Sequence, residues 1–414
     1  MRICLITAHH VSVQPRIIRE ADTLSAAGLD VRVVARQTDP QLSELDLKLL
    51  QSRAWRMQTV KLVRNGESHQ NWLKQTLATE VSKKLFDVGV GKQTFAARAY
   101  IRGANQLAAL AAEEQADWYI AHTQAALPAA ALAARRWDSR LGFDCEDLLS
   151  EMGSDPRELV QTIERAYLQQ CDYISAPSTS VANRLMDQYA IQAPTVLYNV
   201  FPSNLAGAAS HPGERTLDGP LKLHWFGQTV GSGRGLEQII HACRGLHEPI
   251  EFHLRGRVSE AYRLELSSLA DGSQLTLIFH PLVPHDEVIN SLDKFHVGIA
   301  SEVTENEAYA RTVTNKLFSY LLGGLAIAAS DTPGQQEIME QTPKAGFIYS
   351  DIDELAAGIR TFALDRETLR QAQVESWKVA RQKFCWDVEQ AKLLSVLNNN
   401  SLTQSRGDVE AAWR

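Results

Sequence analysis

The sequence predicts an α/β protein with two Rossmann-like domains, each a parallel sheet flanked by helices. Short apolar runs alternate with helical patterns along almost the whole chain, beginning with a strand at 2–7 and a helix that ends before Gly28. The chain has 414 residues, and chains of this length usually fold as more than one domain, each with its own hydrophobic core. A stretch at 201–220 is rich in Pro, Gly, Ser and Ala and separates two alternating series.

The predicted strands divide into two groups of six. Those of the first half are 2–7, 31–35, 118–121, 140–145, 173–176 and 195–198; those of the second are 221–226, 250–254, 275–279, 296–300, 325–329 and 346–349. We assign the first domain to 1–203, a linker to 204–219, the second domain to 220–384, and a helix crossing back to the first domain, with a tail, to 385–414. Ligands are expected in a cleft that both sheets face, where strand carboxyl ends meet helix N-termini.

Composition favours small-molecule chemistry in the cytoplasm. A net charge of -7 argues against a general nucleic-acid binder. The five cysteines are odd in number and widely spaced, which suggests neither a disulfide framework nor a zinc site. The N-terminus lacks the features of a signal peptide, and no apolar run reaches the roughly 20 residues that span a bilayer.

One segment reverses the overall charge. Residues 51–110 have a helical pattern and carry ten cationic and three acidic side chains, a net charge of +7. Trp55, Trp72, Leu77 and Phe86 are interleaved with them. Two interpretations stay open: a surface for anionic lipid at the inner face of a membrane or for an acidic glycan, or a solvated helical face with aromatic core residues.

The glycine-rich run that follows the strand at 221–226 has the pattern of a phosphate site. Gly227, Gly233 and Gly235 precede a predicted helix and leave backbone N–H groups open to a phosphate. Arg234 adds a cation that can hold two phosphate oxygens. Glycine turns between a strand and a helix also occur for packing alone.

This run resembles an element of glycosyltransferase family 4, in which Gly-Arg, five residues and Lys-Gly supply two cations to the donor diphosphate. Here the element reads Gly227-Gln228, five residues, Arg234-Gly235. Arg234 matches the second cation, and Gln228 replaces the first. The resemblance spans nearly the whole chain and implies the GT-B fold of two Rossmann-like domains facing a cleft.

The run at 315–331 is similar to the same family's helix and strand N-K-x-F-E-Y-L-x-x-G-x-P-V-x-A-S. Lys316 matches its lysine. The family has two glutamates with seven residues between them, the second of which binds the donor ribose; Arg311 and Ser319 stand at those positions. We hypothesise that Arg311 supplies the positive charge lost at Gln228.

Three further donor contacts follow from the resemblance. Asp331 and Glu337 bound the segment where relatives bind sugar hydroxyls through backbone N–H groups and a glutamate. Val283 lies in a loop similar to the one that seats the base. Asp351-Ile352-Asp353 has the form D-x-D, but Glu354 three residues after Asp351 indicates a helix capping box, so no metal is expected.

In the first half, Pro15-Arg16 matches the family opening. His122, in DWYIAHTQAALP, matches a histidine that points towards the donor sugar. Asp144 and Glu146, in FDCEDLLSE, are candidate general bases if transfer inverts the anomeric configuration; if transfer retains it, the leaving phosphate is the expected base. We therefore take His122, Asp144 and Glu146 as candidate catalytic residues.

The sequence thus predicts a metal-independent, cofactor-free glycosyltransferase that moves a sugar from a nucleoside-diphosphate-sugar to a glycan or lipid-linked acceptor in polysaccharide or glycoconjugate biosynthesis. Two alternatives stay open. A sugar-nucleotide epimerase of the same shape would convert the donor without an acceptor. A catalytically impaired scaffold would explain the changed residues at 228, 311 and 319.

Overall fold

The computed structural model describes residues 1–66, 68–207, 209–302 and 306–399. The chain divides into two compact units. The first contains Met1–Pro177, Val181–Leu197 and the described residues from Gln390 onward; the second contains Ser178–Ser180 and Tyr198–Glu389. The described part of 204–219, which the sequence suggests as a linker, therefore lies within the second unit.

The described residues of the first unit form a seven-stranded sheet with the order β3-β2-β1-β4-β5-β6-β7, and all neighbours are parallel. Its strands are β1 Arg2–Thr7, β2 Asp30–Gln37, β3 Arg56–Lys61, β4 Trp118–His122, β5 Arg140–Asp144, β6 Tyr173–Ala176 and β7 Thr195–Val196. The order reverses beside β1, as in a doubly wound sheet, and ligands of such sheets bind at that edge.

Nine helices lie between or beside these strands in the described part of the chain up to Tyr189. They are α1 Pro15–Ala26, α2 Pro40–Leu50, α3 His69–Asp87, α4 Lys92–Tyr100, α5 Ala104–Ala111, α6 Leu127–Trp137, α7 Leu149–Met152, α8 Arg157–Tyr167 and α9 Thr179–Tyr189. Helix α1 begins with proline, whose fixed φ suits the first helical position.

Strand β3 corrects the expectation that 51–110 is helical throughout. It pairs with β2 over six residues, from Arg32 opposite Arg56 to Gln37 opposite Lys61. This pairing lies at the edge of the sheet, and charged, exposed ends at Arg56 and Lys61 suit an edge strand. The helical prediction rests on the periodicity of neighbouring residues and therefore takes no account of the pairing with β2.

The second unit contains a six-stranded parallel sheet in the described residues, with the order β10-β9-β8-β11-β12-β13. Its strands are β8 Leu221–Thr229, β9 Ile250–Arg257, β10 Leu275–His280, β11 Val297–Ala300, β12 Ala326–Ser330 and β13 Gly346–Tyr349. Each of the twelve strands predicted from the sequence overlaps one of the observed strands. The predicted α/β class with two Rossmann-like parallel sheets is confirmed.

The helices of the second unit alternate with its strands along the chain. They are α10 Leu236–Arg244, α11 Glu260–Ala270, α12 His285–Asn290, α13 Glu307–Arg311, α14 Asn315–Gly323, α15 Pro333–Met339, α16 Ile352–Leu364 and α17 Arg366–Gln382. A last helix, α18 Trp386–Asn399, follows. Asp351 caps α16 by accepting a hydrogen bond from the Glu354 N–H at 2.8 Å, as the capping-box interpretation predicts.

Among the described residues, no helix has both the length and the apolar character needed to cross a bilayer.

Candidate active site

The carboxyl ends of four neighbouring strands in the first unit are in register. Thr7 of β1 lies beside His122 of β4, His122 beside Asp144 of β5, and Asp144 beside Ser175 of β6. The pairing therefore brings together two of the three candidate catalytic residues, although 22 positions separate them in the sequence. Glu146 follows two residues after the end of β5.

His122 is surrounded by carboxylates. Its Nε2 lies 3.2 Å from a Glu20 oxygen, and its Nδ1 lies 3.3 Å from Asp144 and 3.4 Å from Glu146. Burial alone would lower the pKa of His122, but the charge of Glu20 and the hydrogen bonds with Asp144 and Glu146 raise it well above its ordinary value. His122 is therefore held as an imidazolium inside the unit.

Asp144 is fixed by a buried ion pair. Nε and Nη2 of Arg16 donate to its two oxygens at 2.5 and 2.7 Å, and the Ser175 hydroxyl donates at 2.5 Å. Burial disfavours its ionised form, but the charge of Arg16 and the hydrogen bond with His122 outweigh burial, so the pKa of Asp144 lies well below its ordinary value. Such a carboxylate is a poor proton acceptor.

Of the three candidates, only Glu146 reaches solvent: its side chain is 21 % exposed, whereas those of His122 and Asp144 are fully buried. A carboxylate that contacts both an imidazolium and solvent is placed to exchange a proton with a bound molecule. The structure thus distinguishes Glu146, which reaches solvent, from Asp144, which is buried, whereas the sequence treats both as candidate general bases.

Ligand atoms of Glu20, His122 and Asp144 lie within 4.8 Å of one another, close enough in principle for a metal ion. The donor set does not favour one, because the Arg16 guanidinium already contacts both Asp144 oxygens. A cation there would meet Arg16 and a protonated His122, so we assign this cluster to charge pairing.

Sequence reasoning missed Glu20 and gave no role to Arg16 beyond the family opening. Both are buried and lie four residues apart on α1. Two charged residues on the apolar face of a helix are a recognisable signal, since buried charges are normally paired.

In the second unit, the observed strand, glycine turn and helix follow the predicted order, with β8 extending three residues beyond the expected end at Phe226. The extension reaches Thr229, which pairs with Arg257 after a register irregularity. Gly233 and Gly235 have φ of 74° and 73°, in the left-handed region that favours glycine. Gly235 directly precedes α10.

A close approach of two backbones supports this turn. Gly256 of β9 has φ of 148°, and a Cβ there would lie 2.5 Å from the Gly227 carbonyl oxygen. A Cβ on Gly227 would meet the Trp225 ring at 2.6 Å. Gly227 is therefore required for packing under the turn, while Gly233 has open space around it.

Arg234 and Gln228 are exposed at this turn. The Arg234 carbonyl accepts a hydrogen bond from Ser301 at 2.8 Å, which fixes the backbone. Within the described ranges, no carboxylate forms an ion pair with the Arg234 guanidinium. Its charge is available to an anion at the N-terminus of α10.

The other predicted cation, Lys316, is already paired. Its Nζ lies 2.7 Å from Glu302 and 5.5 Å from the centre of the Trp225 ring, and the side chain is largely buried. Lys316 thus lies beneath β8, where Glu302 neutralises its charge.

Ser319 differs most from the expected ribose contact. It is fully buried; its hydroxyl contacts His285 Nε2 at 2.9 Å and donates to the Asn315 carbonyl at 2.8 Å. The His285 ring packs 5.5 Å from Phe226 and 4.6 Å from Phe201, measured between ring centres. His285, which sequence reasoning did not single out, covers Ser319. Val283, two residues earlier, is partly exposed.

Arg311 makes its own local contacts. Its Nη2 lies 3.0 Å from Glu307 and its Nη1 lies 3.5 Å from the Ser180 hydroxyl. No hydrogen bond or ion pair of the described residues joins Arg311 to Gln228 or Arg234. The hypothesis that Arg311 supplies the charge missing at Gln228 stays a prediction.

Glu337 and Asp331 have protein partners. Glu337 accepts hydrogen bonds from the Thr179 N–H at 2.9 Å, the Thr179 hydroxyl at 2.7 Å and the Tyr198 hydroxyl at 2.7 Å. Asp331, which is exposed, accepts from Gln336 at 2.5 Å and from Ser350 at 3.0 Å. A sugar hydroxyl at Glu337 would share an already well-bonded carboxylate.

Comparison with known proteins supports the predicted family. Residues 13–199 match a family model described as a glycosyl transferase 4-like domain. No curated protein sequence matches the chain.

Several solved structures share the fold at low sequence identity. HepE from Anabaena in complex with UDP is 13% identical, with a TM-score of 0.64 over 96% of this chain and 100% of that one. Sucrose-phosphate synthase from Thermosynechococcus elongatus is 14% identical, with a TM-score of 0.65 over 96% and 98%. A mutant of TarM from S. aureus, solved in complex with UDP, is 8% identical, with a TM-score of 0.62 over 96% and 100%. Residues 13–199 thus match the model of a glycosyl transferase 4-like domain, and the chain shares the GT-B fold of these solved structures, as the resemblance predicts.

Proposed function

We propose that the protein transfers a sugar from a nucleoside-diphosphate-sugar to a glycan or lipid-linked acceptor in polysaccharide or glycoconjugate biosynthesis. The observation that carries this proposal is the glycine turn that ends at Gly235. There Arg234, which is exposed and has no ionic partner among the described residues, adjoins the N-terminus of α10. Structural relatives described in complex with UDP and UDP-glucose support a nucleotide-sugar donor.

The donor half of the reaction needs positive charge at the diphosphate. Charge builds on the diphosphate as its bond to the sugar breaks, and a preorganised cation and helix N-terminus stabilise that charge. Arg234 and the N–H groups of the turn fill this role in our proposal. Gln228 contributes a neutral amide donor in place of a second cation.

The first unit contributes the acid–base residues. We assign Glu146 as the proton acceptor if transfer inverts configuration, because it is the partly exposed carboxylate beside His122. Asp144 acts as a positioning residue that, with Glu20, keeps His122 protonated. If transfer retains configuration, the leaving phosphate accepts the acceptor proton and Glu146 binds a hydroxyl.

The test compares two arginines of one helix region. Arg234 lies just before α10, and Arg244, which is also exposed, is its last residue. Arg234→Ala should lower UDP affinity by about 10-fold to 100-fold, the range for one charged hydrogen-bonding partner of roughly 1.5–3 kcal/mol. Arg244→Ala should leave it unchanged. Calorimetric titration with UDP, GDP and ADP measures both, and equal affinities for the two variants would refute the assignment.

We also propose that the reaction needs neither a bound metal nor a separate cofactor, since Arg234 and the helix N-terminus supply charge that a cation would otherwise provide. Turnover measured with EDTA should equal turnover with added Mg²⁺. A dependence on Mg²⁺ would overturn this part without affecting the donor site.

The buried Ser319–His285 contact, where relatives place a carboxylate, favours one alternative, a scaffold that no longer turns over. Nucleotide binding raises apparent stability by about 2.7 kcal/mol at a hundredfold excess over Kd if the site survives. Stabilisation without transfer or hydrolysis of any common donor would favour the scaffold. Conversion of the donor alone to its epimer would favour the epimerase.

We place this activity in the cytoplasm. All five cysteines are free thiols, four of them buried. Burial raises the pKa of Cys4 and Cys243 to about 12, so neither is a reactive thiolate. Such thiols suit a reducing compartment. Fractionation of cells that express the tagged protein tests this placement.

A further inference from the structure

Helix α3 of the first unit carries an apolar stripe without a covering element. Leu73, Leu77 and Val81 are four residues apart and therefore lie on one face of α3. All three are exposed, Leu77 by 68 %. Val88 and Val90, just beyond the helix, are also exposed. The opposite face of α3 buries Ser82 and Phe86.

The structure also separates these residues from the aromatics of the same basic segment. Trp55 and Phe86 are buried, and Trp72 is partly buried beneath the Arg102 guanidinium, 4.9 Å from its ring centre. For these aromatic residues of the segment 51–110, the structure therefore favours the interpretation that they are core residues. The exposed aliphatic stripe is the apolar part of this segment that a partner can contact. Single exposed leucines elsewhere are common and do not indicate a binding surface.

A groove adjoins the stripe and is open to solvent. Its volume is about 370 Å³, and its walls include the apolar Leu77, Val81, Phe95 and Ile101 and the cationic Lys74 and Arg98. It runs between α3 on one side and α4 with the start of α5 on the other.

The two cations of this groove are not neutralised within the described part of the chain. Arg98 donates to the neutral amide oxygen of Asn105 at 2.8 Å, and Lys74 has no acidic partner there. Along α3, Lys74, Lys83 and Lys84 outnumber Glu80 and Asp87. An apolar stripe beside unneutralised cations suits a surface that offers both hydrocarbon and negative charge.

We propose that this face of α3, with the groove beside it, docks the protein on an anionic lipid bilayer. Leu73, Leu77 and Val81 would enter the boundary between headgroups and acyl chains, and Lys74 and Arg98 would meet lipid phosphates. A second copy of the chain fits less well, because a two-fold contact through the same patch brings Lys74 and Arg98 towards their own equivalents.

The experiment uses the full chain and co-sedimentation with vesicles. Wild-type protein should bind vesicles of phosphatidylglycerol and phosphatidylcholine, more weakly at high salt, and bind pure phosphatidylcholine poorly. Leu77→Ser should lower the partition coefficient about tenfold, the effect of withdrawing one buried leucine. Lys74→Gln and Arg98→Gln should each lower it about fivefold on anionic vesicles only.

Leu264→Ser is the matched control, because Leu264 is 62 % exposed on α11 in the second unit and should leave partitioning unchanged. The proposal fails if wild-type protein does not bind anionic vesicles, or if Leu77→Ser and Leu264→Ser bind alike. It also fails if mass photometry detects a dimer that Leu77→Ser dissociates, since a second copy would then occupy the stripe. None of these readouts depends on sugar transfer, so they are independent of the proposed activity.

Discussion

The buried pair of Arg16 and Asp144 allows the sharpest test of how the first unit is held together. Arg16→Met keeps most of the aliphatic stem and removes the guanidinium. It leaves Asp144, which is fully buried, without the cation that contacts both of its oxygens at 2.5 and 2.7 Å. It also removes the donor to the Leu197 carbonyl at 2.9 Å.

Removing one partner of a buried pair costs about 3–5 kcal/mol, because the remaining charge stays desolvated. The matched control is Arg56→Met. Arg56 forms a two-pronged pair with Glu114 at 2.9 and 2.7 Å, but its side chain is 46 % exposed. Exposed pairs contribute about 0.2–1 kcal/mol. The same chemical change should therefore differ several-fold in effect at the two positions.

Thermal unfolding followed by circular dichroism measures the difference. At about 2–4 °C per kcal/mol for a unit of this size, Arg16→Met should lower Tm by about 6–20 °C and Arg56→Met by about 4 °C or less. Adding Asp144→Asn to Arg16→Met should recover part of the loss, since no buried charge then remains unpaired. Equal shifts for the two single variants would refute the assignment of a stabilising buried pair.

Two further predictions concern His122 and Gly256. The pKa of His122 is raised in the folded state, so its contribution to stability is complete below the unfolded pKa of about 6.5 and is lost as pH rises through the folded pKa. The free energy of unfolding, measured by urea titration, should therefore fall by about 1.4 kcal/mol per pH unit above 6.5. A wild-type slope that persists in His122→Asn would contradict this. Gly256→Ala should lower both Tm and UDP affinity, because the added Cβ would approach the Gly227 carbonyl oxygen. The control is Gly272→Ala, which is also at positive φ (73°) but has open space around it; it should cost only about 1–2 kcal/mol of strain and leave UDP affinity unchanged. Equal UDP affinities in the two variants would show that the approach of β8 and β9 does not shape the turn.

The strands and glycines of the fold were readable from the sequence because their signals are local. Runs of apolar residues bounded by turn residues predict twelve of the thirteen strands that the described residues form. β3 was missed because its strand character depends on pairing with β2, more than twenty residues earlier. At the donor turn, Gly233 and Gly235 were recognisable since only their own backbone conformation requires glycine.

Side-chain environments were not readable in the same way. The sequence indicates the same role, candidate catalytic residue, for His122, Asp144 and Glu146. In the structure His122 is a buried imidazolium, Asp144 is its buried counter-ion and Glu146 is partly exposed. Those differences come from Arg16 and Glu20 on α1, more than 100 residues away. The sequence indicates that Ser319 replaces a carboxylate of the family, but it does not predict the contact of Ser319 with His285.

The sequence by itself determined the two parallel sheets, the resemblance to GT-B glycosyltransferases and the glycine turn with Arg234, because periodicity, backbone conformation and motif spacing are properties of neighbouring residues. Only the tertiary structure decided which charges are paired, as for Arg16 and Lys316, and which have no ionic partner in the described part of the chain, as for Arg234 and Lys74. It also decided that Trp55 is core while Leu77 is exposed. Burial and pairing depend on what the fold brings from elsewhere in the chain.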